Sequence, residues 1–375
     1  MVYIYINLII YICCKNLNFL WNQGFLIILT MLLQILTGMV LGLHYTSEIN
    51  CAYYSVMHII REVYFGWFFR YTHSNIVSFI FIFILLHIGR ALYYGSYLYI
   101  PHAWISGIFL FIILMGTAFM GYVLPWGQMS YWGCTVITNL LSCIPCLVPW
   151  VCGGFFISNP SLSRFFILHF ILPFIIYIII FIHIFYLHQV SSNNALGYNI
   201  NNNISFFPFF MSKDLFNFFL FGSITILEML FGFISLSHPD NALEVNVLVT
   251  PLHIVPEWYF LEFYMILKAI PNKNAGFMIM FSSIFYIFIP SEPNGLNIIS
   301  LTFMGHISIL FTFLIIVYFL WIGAQLPQEQ FIIYYNYTYI FLIIAIIVLN
   351  IIIIRLLLFN IFNWIYSFYY WYFVV

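Results

Sequence analysis

The sequence predicts an all-α integral membrane protein with eight transmembrane helices and short surface helices in its long loops, and three observations predict it. Of 375 residues, 65% are hydrophobic and only 5% charged, against roughly 25% charged in an ordinary soluble domain. Nine basic and ten acidic side chains cannot solvate the surface of a soluble chain of this length, and a formal net charge of −1 argues against a nucleic-acid partner. Apolar runs long enough to cross a bilayer, about 20 residues each, recur along the chain. Clear polar breaks separate them.

The spans fall at about 22–44, 68–93, 102–124, 165–188, 215–236, 275–291, 299–322 and 332–357. "NNALGYNINNN" precedes the fifth and "SHPDNALEVNV" follows it, while "PSEPNG" and "QLPQEQ" flank the seventh. Connections from Gly127 to Arg164 and from His238 to Lys273 are too long for tight turns and contain apolar runs. Such segments pack as short helices at the membrane surface and are candidate sites of function. Loop charge does not fix the orientation, because Lys15, Arg90, Lys213 and Arg355 fall on one side and the other five basic residues on the other. The start, "MVYIYINLIIYICCK", has no cationic signal-peptide region. Seven cysteines (13, 14, 51, 134, 143, 146, 152) show no regular metal-ligand spacing. Cys143 and Cys146 form a C-x-x-C interrupted by Pro145 with no second pair, so all seven read as small apolar fillers.

Chemistry enters with histidines in apolar spans. His73 and His87 lie 14 residues apart in the second span, and His169 and His183 are 14 apart in the fourth. Fourteen residues is nearly four helical turns, so each pair shares a face with its members about 21 Å apart along the axis. Polar groups inside lipid are costly and normally have a partner. Two spans with the same histidine register can meet as two tiers of paired imidazoles, one toward each membrane face. Opposed neutral imidazoles with no acid nearby suit a low-spin haem iron held on both axial faces, an extension of known haem ligation. Zinc prefers one tetrahedron of four ligands, which tiers this far apart cannot supply. Glycines repeat the spacing: Gly24 and Gly38 in the first span, Gly107 and Gly121 in the third. Glycine inside a helix costs about 1 kcal/mol relative to alanine, and a flat macrocycle lying against these helices is a packing reason for it. Arg70 and Arg90, one turn outboard of His73 and His87, are placed to pair with haem propionates.

At this point the chain resembles the cytochrome b family, the membrane subunit of respiratory complex III (ubiquinol–cytochrome c oxidoreductase), from about Leu17 to Gln328. The resemblance rests on "GYVLPWGQMSYWGCTVITNL" (121–140), "RFFILHFILPF" (164–174), "SHPDN" (237–241) and "TPLHIVPEWYF" (250–260), together with the histidine pairs. It implies two b-type haems, a low-potential one on His73/His169 near the outer face and a high-potential one on His87/His183 near the inner face. It implies residues 1–210 as a haem-holding four-helix domain and 211–375 as a C-terminal domain completing the quinone sites. The mitochondrial inner membrane, both termini on the matrix side, a homodimeric complex and Rieske-type iron–sulfur and cytochrome c1-type partners follow from the same resemblance.

Two quinone sites are implied as well. At the outer one, Glu257 of "PEWYFLEFY" is the candidate acceptor of a quinol proton, Pro256 precedes it, and Tyr264 contacts the quinol ring; Phe119, Met129 and Gly133 line the pocket. At the inner one, His188 and Asp214 are candidate proton donors to ubiquinone, with Lys213, Asn22 and Ser192 as further contacts. Glu262 stands where the family usually has proline, and Ser191 and Ala195 replace a glycine and a proline. Glu228 falls mid-span, where an acid is a functional candidate by default. Two other readings compete: a two-haem b-type carrier without quinol bifurcation, and a proton-coupled transporter with a histidine relay.

Overall fold

The computed structural model describes residues 11–144, 146–192, 203–232, 237–286 and 303–338, apart from 327, 332 and 336 in the last stretch. Contacts divide the chain into two units, Met1–Tyr259 and Phe260–Val375.

In the first unit, β1 (Ile12–Cys14) pairs antiparallel with β2 (Asn203–Ser205), Cys13 opposite Ile204. This ladder was not foreseen, because three-residue strands carry no periodicity. The helices between follow in order: α1 (Gln23–Gly42), α2 (Ala52–Arg61), α3 (Gly66–Tyr93), α4 (Ser96–Tyr99), α5 (Pro101–Val123), α6 (Gln128–Leu140), α7 (Leu147–Cys152) and α8 (Asn159–Val190). After β2 comes α9 (Phe209–Phe231). Five helical stretches are long and apolar enough to cross a membrane: Phe19–Gly42, which takes in a short 3-10 turn ahead of α1, then α3, α5, α8 and α9. They match the first five expected spans. The chain is a multi-pass membrane protein.

Local chemistry moves two of the ends. The helix expected from 165 begins at Asn159, because Ser158 and Ser161 exchange side-chain and backbone hydrogen bonds in a capping box and Pro160 suits the first turn. The one expected at 215–236 starts six residues earlier, after Pro208, and stops where Gly232 turns left-handed at φ 58°. The long 127–164 connection folds into α6 and α7, as its apolar content suggested.

Packing pairs α1 with α3 and α5 with α8. Leu26, Phe83 and Phe221 form a small cluster that fastens α9 to α1 and α3, with the Phe83 and Phe221 rings 4.9 Å apart. A larger core joins α5 to α8 and to the α6–α7 connection through Val123, Cys134, Cys152 and Leu162, all nearly inaccessible. The segment after Ser237 is stitched to α6: Asn241 Oδ1 accepts from the backbone and side chain of Ser130, and Gln128 bonds Val249 O and Asn246 N.

The second unit contains α10 (Leu261–Ala269), α11 (Lys273–Tyr286) and α12 (Phe303–Gly323). Met265, Ile266, Phe319 and Ile322 form its core. α11 and α12 fall on the sixth and seventh expected spans; residues 287–302 and nearly all of the eighth span lie outside the described residues. The end of α12 meets α10 backbone to backbone, so that a side chain on Gly323 would strike the Leu261 carbonyl. Gly323→Ala is therefore expected to destabilise by about 1–3 kcal/mol, the usual penalty of overpacking, read as a lower thermal unfolding midpoint. An unchanged midpoint would mean that these backbones do not touch.

The two histidine tiers and the candidate quinone residues

α3 carries His73 and His87, α8 carries His169 and His183, and the tiers form as the spacing implied. Ring centres of His73 and His169 lie 6.2 Å apart, and those of His87 and His183 lie 6.3 Å apart. A first-row metal ion bonded at ~2.0 Å to one nitrogen of each ring sets the ring centres about 6 Å apart. Among the described residues, no three His, Cys, Asp or Glu side chains gather around one point, so paired imidazoles are the donor set available.

Each imidazole rests on one of the four glycines. A Cβ on Gly38 would meet His73 at 3.0 Å, one on Gly24 would meet His87 at 3.4 Å, and one on Gly107 would meet His183 at 3.2 Å; at Gly121 it would run into His169. Thus α1 supports the α3 histidines and α5 the α8 histidines. Sequence alone assigned the glycines to a ring edge; the structure adds that the ligand rings themselves occupy the space.

Three of the four rings are also anchored at Nδ1. His169 Nδ1 lies 2.8 Å from Thr117 O, an acceptor only, so the nitrogen donates. Thr37 Oγ1, which gives its own proton to Leu33 O, lies 3.0 Å from His73 Nδ1, and Ser106 Oγ, which donates to Ala103 O, lies 3.1 Å from His183 Nδ1. Donation from Nδ1 leaves the lone pair on Nε2, the arrangement that suits metal ligation. These hydroxyls were missed, although the signal was there: Thr37 directly precedes Gly38 and Ser106 directly precedes Gly107. Pro173, four residues after His169, removes the helical N–H that the His169 carbonyl would receive.

The arginines differ. Arg70 lines one cavity with His73 and His169. Arg90 lies over the Trp21 ring at 5.0 Å and donates to His87 Nδ1 at 3.3 Å, while its own Nε is buried without a partner. A buried, unsatisfied guanidinium donor is suited to a carboxylate, and its turning to one would release His87 Nδ1. The glycine cradles, the Nδ1 anchors and this orphaned donor all fit haem.

Around the inner-site candidates, Asn22 Nδ2 donates to Asp214 Oδ1 at 2.7 Å, and both residues are buried. Lys213 lines a neighbouring pocket with Asn22 and Phe216. His188 stacks on Tyr11 at 4.5 Å, the Tyr11 hydroxyl reaches Ser191 Oγ at 3.4 Å, and Cys14 Sγ donates to Ser192 O at 3.8 Å. So Tyr11, just ahead of β1, and Cys14, within it, cover His188 and Ser191–Ser192, a role invisible in a stretch that reads only as apolar. Ser191 takes a left-handed φ of 73°, where glycine is the usual occupant. Ala195 lies outside the described residues.

Of the outer-site candidates, Glu257 belongs to the first unit, and Glu262 and Tyr264 to the second. The segment carrying Glu257 is pinned to α3: Trp258 Nε1 donates to Ser78 Oγ at 3.1 Å, and Tyr259 stacks flat on Phe81 at 4.0 Å. Burial pushes the Glu257 carboxyl up to about 7, and Glu262 likewise to about 7. Tyr122, which the sequence reading passed over, has a buried hydroxyl without a hydrogen-bond partner. Its signal was a phenol in the apolar "MGYVLPW". Met129 is buried, Phe119 packs edge-on to Phe165 at 6.0 Å, and a Cβ on Gly133 would meet open space. Pro256 is half-buried beside Glu257. Glu228 is buried within α9.

These features define a membrane bundle built to hold two tiers of paired imidazoles. The cytochrome b/b6/petB model matches residues 8–191, and the cytochrome b (C-terminal)/b6/petD model matches 244–346. Cytochrome b of Plasmodium vivax (strain Salvador I) is 51% identical over 334 residues, covering 88% of this chain and 87% of that protein. That of Toxoplasma gondii is 46% identical over 336 residues, covering 88% and 91%. A solved chain described as hyperthermophilic respiratory complex III superposes with a TM-score of 0.84 at 26% identity, covering 92% of this chain and 94% of its own. The chain belongs to the cytochrome b family, whose members carry haem b.

Gly121→Val is expected to push the His169 ring aside and reduce the haem b absorbance in a reduced-minus-oxidised spectrum. Gly116→Val, on the same helix but facing open space, leaves it intact. Equal spectra would show that the glycine cradle is dispensable.

Proposed function

We propose that this chain is the cytochrome b of a proton-translocating quinol–cytochrome c oxidoreductase, oxidising quinol at an outer site and reducing ubiquinone at an inner one. The observation that carries the proposal is the facing pair of histidines at each of two levels between apolar helices. His73 and His169 would hold the low-potential haem b, and His87 and His183 the high-potential one, with Arg70 and Arg90 pairing the propionates. When bound, the haems supply electron transfer across the membrane, and the protein supplies orientation and electrostatics. The functional division remains 1–210 for haem binding and 211–375 for completing the quinone sites. The setting is the mitochondrial inner membrane, in a homodimeric complex with Rieske-type iron–sulfur and cytochrome c1-type subunits.

The chain's own acid–base groups do the proton work. Glu257, its carboxyl raised to about 7, is poised to take a proton from quinol near neutral pH. By the family resemblance Tyr264 would be the ring contact, and Pro256, Phe119, Met129 and Gly133 would be quinol-binding residues. Toward the inner face, Asp214 held by Asn22, together with His188, Lys213 and Ser192, would bind ubiquinone and pass it protons. A histidine relay is disfavoured because α3 and α8 contain no aspartate or glutamate. A simple two-haem carrier would have no use for a half-buried carboxyl raised to about 7 at Glu257.

Substituting His87 or His183 by leucine is expected to remove one of two b-type haems and leave the other, seen as loss of one of two midpoint potentials in a redox titration. A chain that holds no haem at all sinks the reading.

Glu257→Gln is expected to slow quinol oxidation by about 10- to 10⁴-fold, the span for losing a general base. Because the base acts only when ionised, the normal rate should climb as pH rises through about 7, and the variant should lose that climb. Glu262, five residues on and likewise raised to about 7, is a second acid to be controlled for, so the measurement is a double-mutant cycle with Glu262→Gln. Normal turnover in the double mutant with haem intact removes both acids from the proton path.

A further inference from the structure

Near the end of α10 a lysine sits among carbonyls and rings. Lys268 Nζ donates to Gly323 O at 2.9 Å and to Gln325 O at 3.0 Å. It lies over the Tyr264 ring at 4.5 Å and over the Tyr335 ring at 5.6 Å. Tyr335, buried, sends its own hydroxyl to the same Gln325 O at 3.0 Å. All of these groups belong to the second unit.

Each contact has a cause. Gly323 ends α12, and the last carbonyls of a helix lack intrahelical partners and attract cations. An ammonium has three donors, and two of them are spent on these carbonyls, which fixes the head group. Tyr264 and Lys268 are four residues apart on one helix, hence on one face, and the fixed cation draws the electron-rich face of the ring onto itself. On the other side of α10, Met265 and Ile266 are locked in the core, so the helix cannot roll to release the tyrosine. Burial pushes the Lys268 ammonium down to about 8, which leaves it mostly charged at neutral pH.

We propose that Lys268 is the positioning residue for Tyr264, holding its ring in the orientation that meets quinol by a cation–π contact braced on the end of α12. The proposal rests on Tyr264 being the quinol-ring contact. Lys268 acts only through that ring and touches no reacting atom.

The test uses the assembled complex in membranes, with a short-tail quinol as substrate and rates normalised to haem. Lys268→Met removes the charge; Lys268→Gln also removes it but keeps an N–H donor for Gly323 O and Gln325 O. Both are expected to raise the quinol KM about 3- to 30-fold, the worth of a desolvated cation–π contact at ~1.4 kcal/mol per decade, with kcat nearly unchanged. Lys268→Arg restores KM to within about 2-fold, since a guanidinium also stacks on a ring. Tyr264→Leu raises KM as well, and Lys268→Met adds nothing further in that background. If Tyr264→Leu leaves KM unchanged, the role given to Tyr264 fails, and this proposal with it. If Tyr264→Leu raises KM but neither neutral lysine variant does, Lys268 merely caps α12 and the proposal alone is overturned. It is overturned too if neither neutral variant accumulates with haem, which would make Lys268 a structural post.

Discussion

Burying four imidazoles in an apolar bundle is the constraint from which most of the first unit follows. An unpaired polar group away from water costs about 1–3 kcal/mol, and every ring has two nitrogens to satisfy. The protein meets one nitrogen of each ring itself. Thr117 O, Thr37 and Ser106 serve three rings, and Arg90 serves the fourth. On three rings this leaves the Nε2 lone pair for a ligand, and His87 reaches the same state once Arg90 turns away from its Nδ1. Space is provided the same way, by deleting side chains: the four glycines sit where the rings lie. Since α1 and α5 carry those glycines, the pairing of α1 with α3 and of α5 with α8 is itself a consequence of the imidazoles needing a shallow helix face.

The loops use the tiers as a frame. Ser78 and Phe81, which hold Trp258 and Tyr259, lie between His73 and His87 on α3, so the Glu257 segment docks on the helix that carries one histidine of each pair. There its carboxyl is buried enough to titrate near neutrality, which a solvated loop acid would not do. Elsewhere in the same unit, Asp214 is fixed by Asn22 just ahead of α1, and His188 by an aromatic stack from Tyr11, just ahead of β1. Glu257, Asp214 and His188 thus sit at the ends of, or beside, the helices that carry the imidazole pairs and their glycines.

Membrane class and histidine register were legible because both are one-dimensional. A 14-residue interval on a 3.6-residue helix fixes a shared face whatever the surroundings, and it does so equally for His73/His87, His169/His183 and the glycine pairs. Hydropathy located five spans within a few residues, since backbone satisfaction in lipid leaves few alternatives to a helix. Contacts between residues far apart in the chain were not legible. Trp258 reaching Ser78, Tyr11 lying on His188 and Lys268 closing the end of α12 each depend on where two elements meet.

The sequence by itself therefore determined that this is a multi-span membrane protein with two levels of paired imidazoles, and which family it belongs to. The first two follow from helical periodicity and from the cost of polar groups in hydrocarbon; the family is carried by motifs such as "TPLHIVPEWYF" and "SHPDN" together with the histidine pairs. Only the tertiary structure decided which glycine cradles which ring, which oxygen fixes three of the four tautomers, and which carboxyls are dry enough to titrate near neutral pH. Tautomer and ionisation depend on the polar groups and burial around an atom, and only the fold brings residues as distant as Thr37 and His73 together.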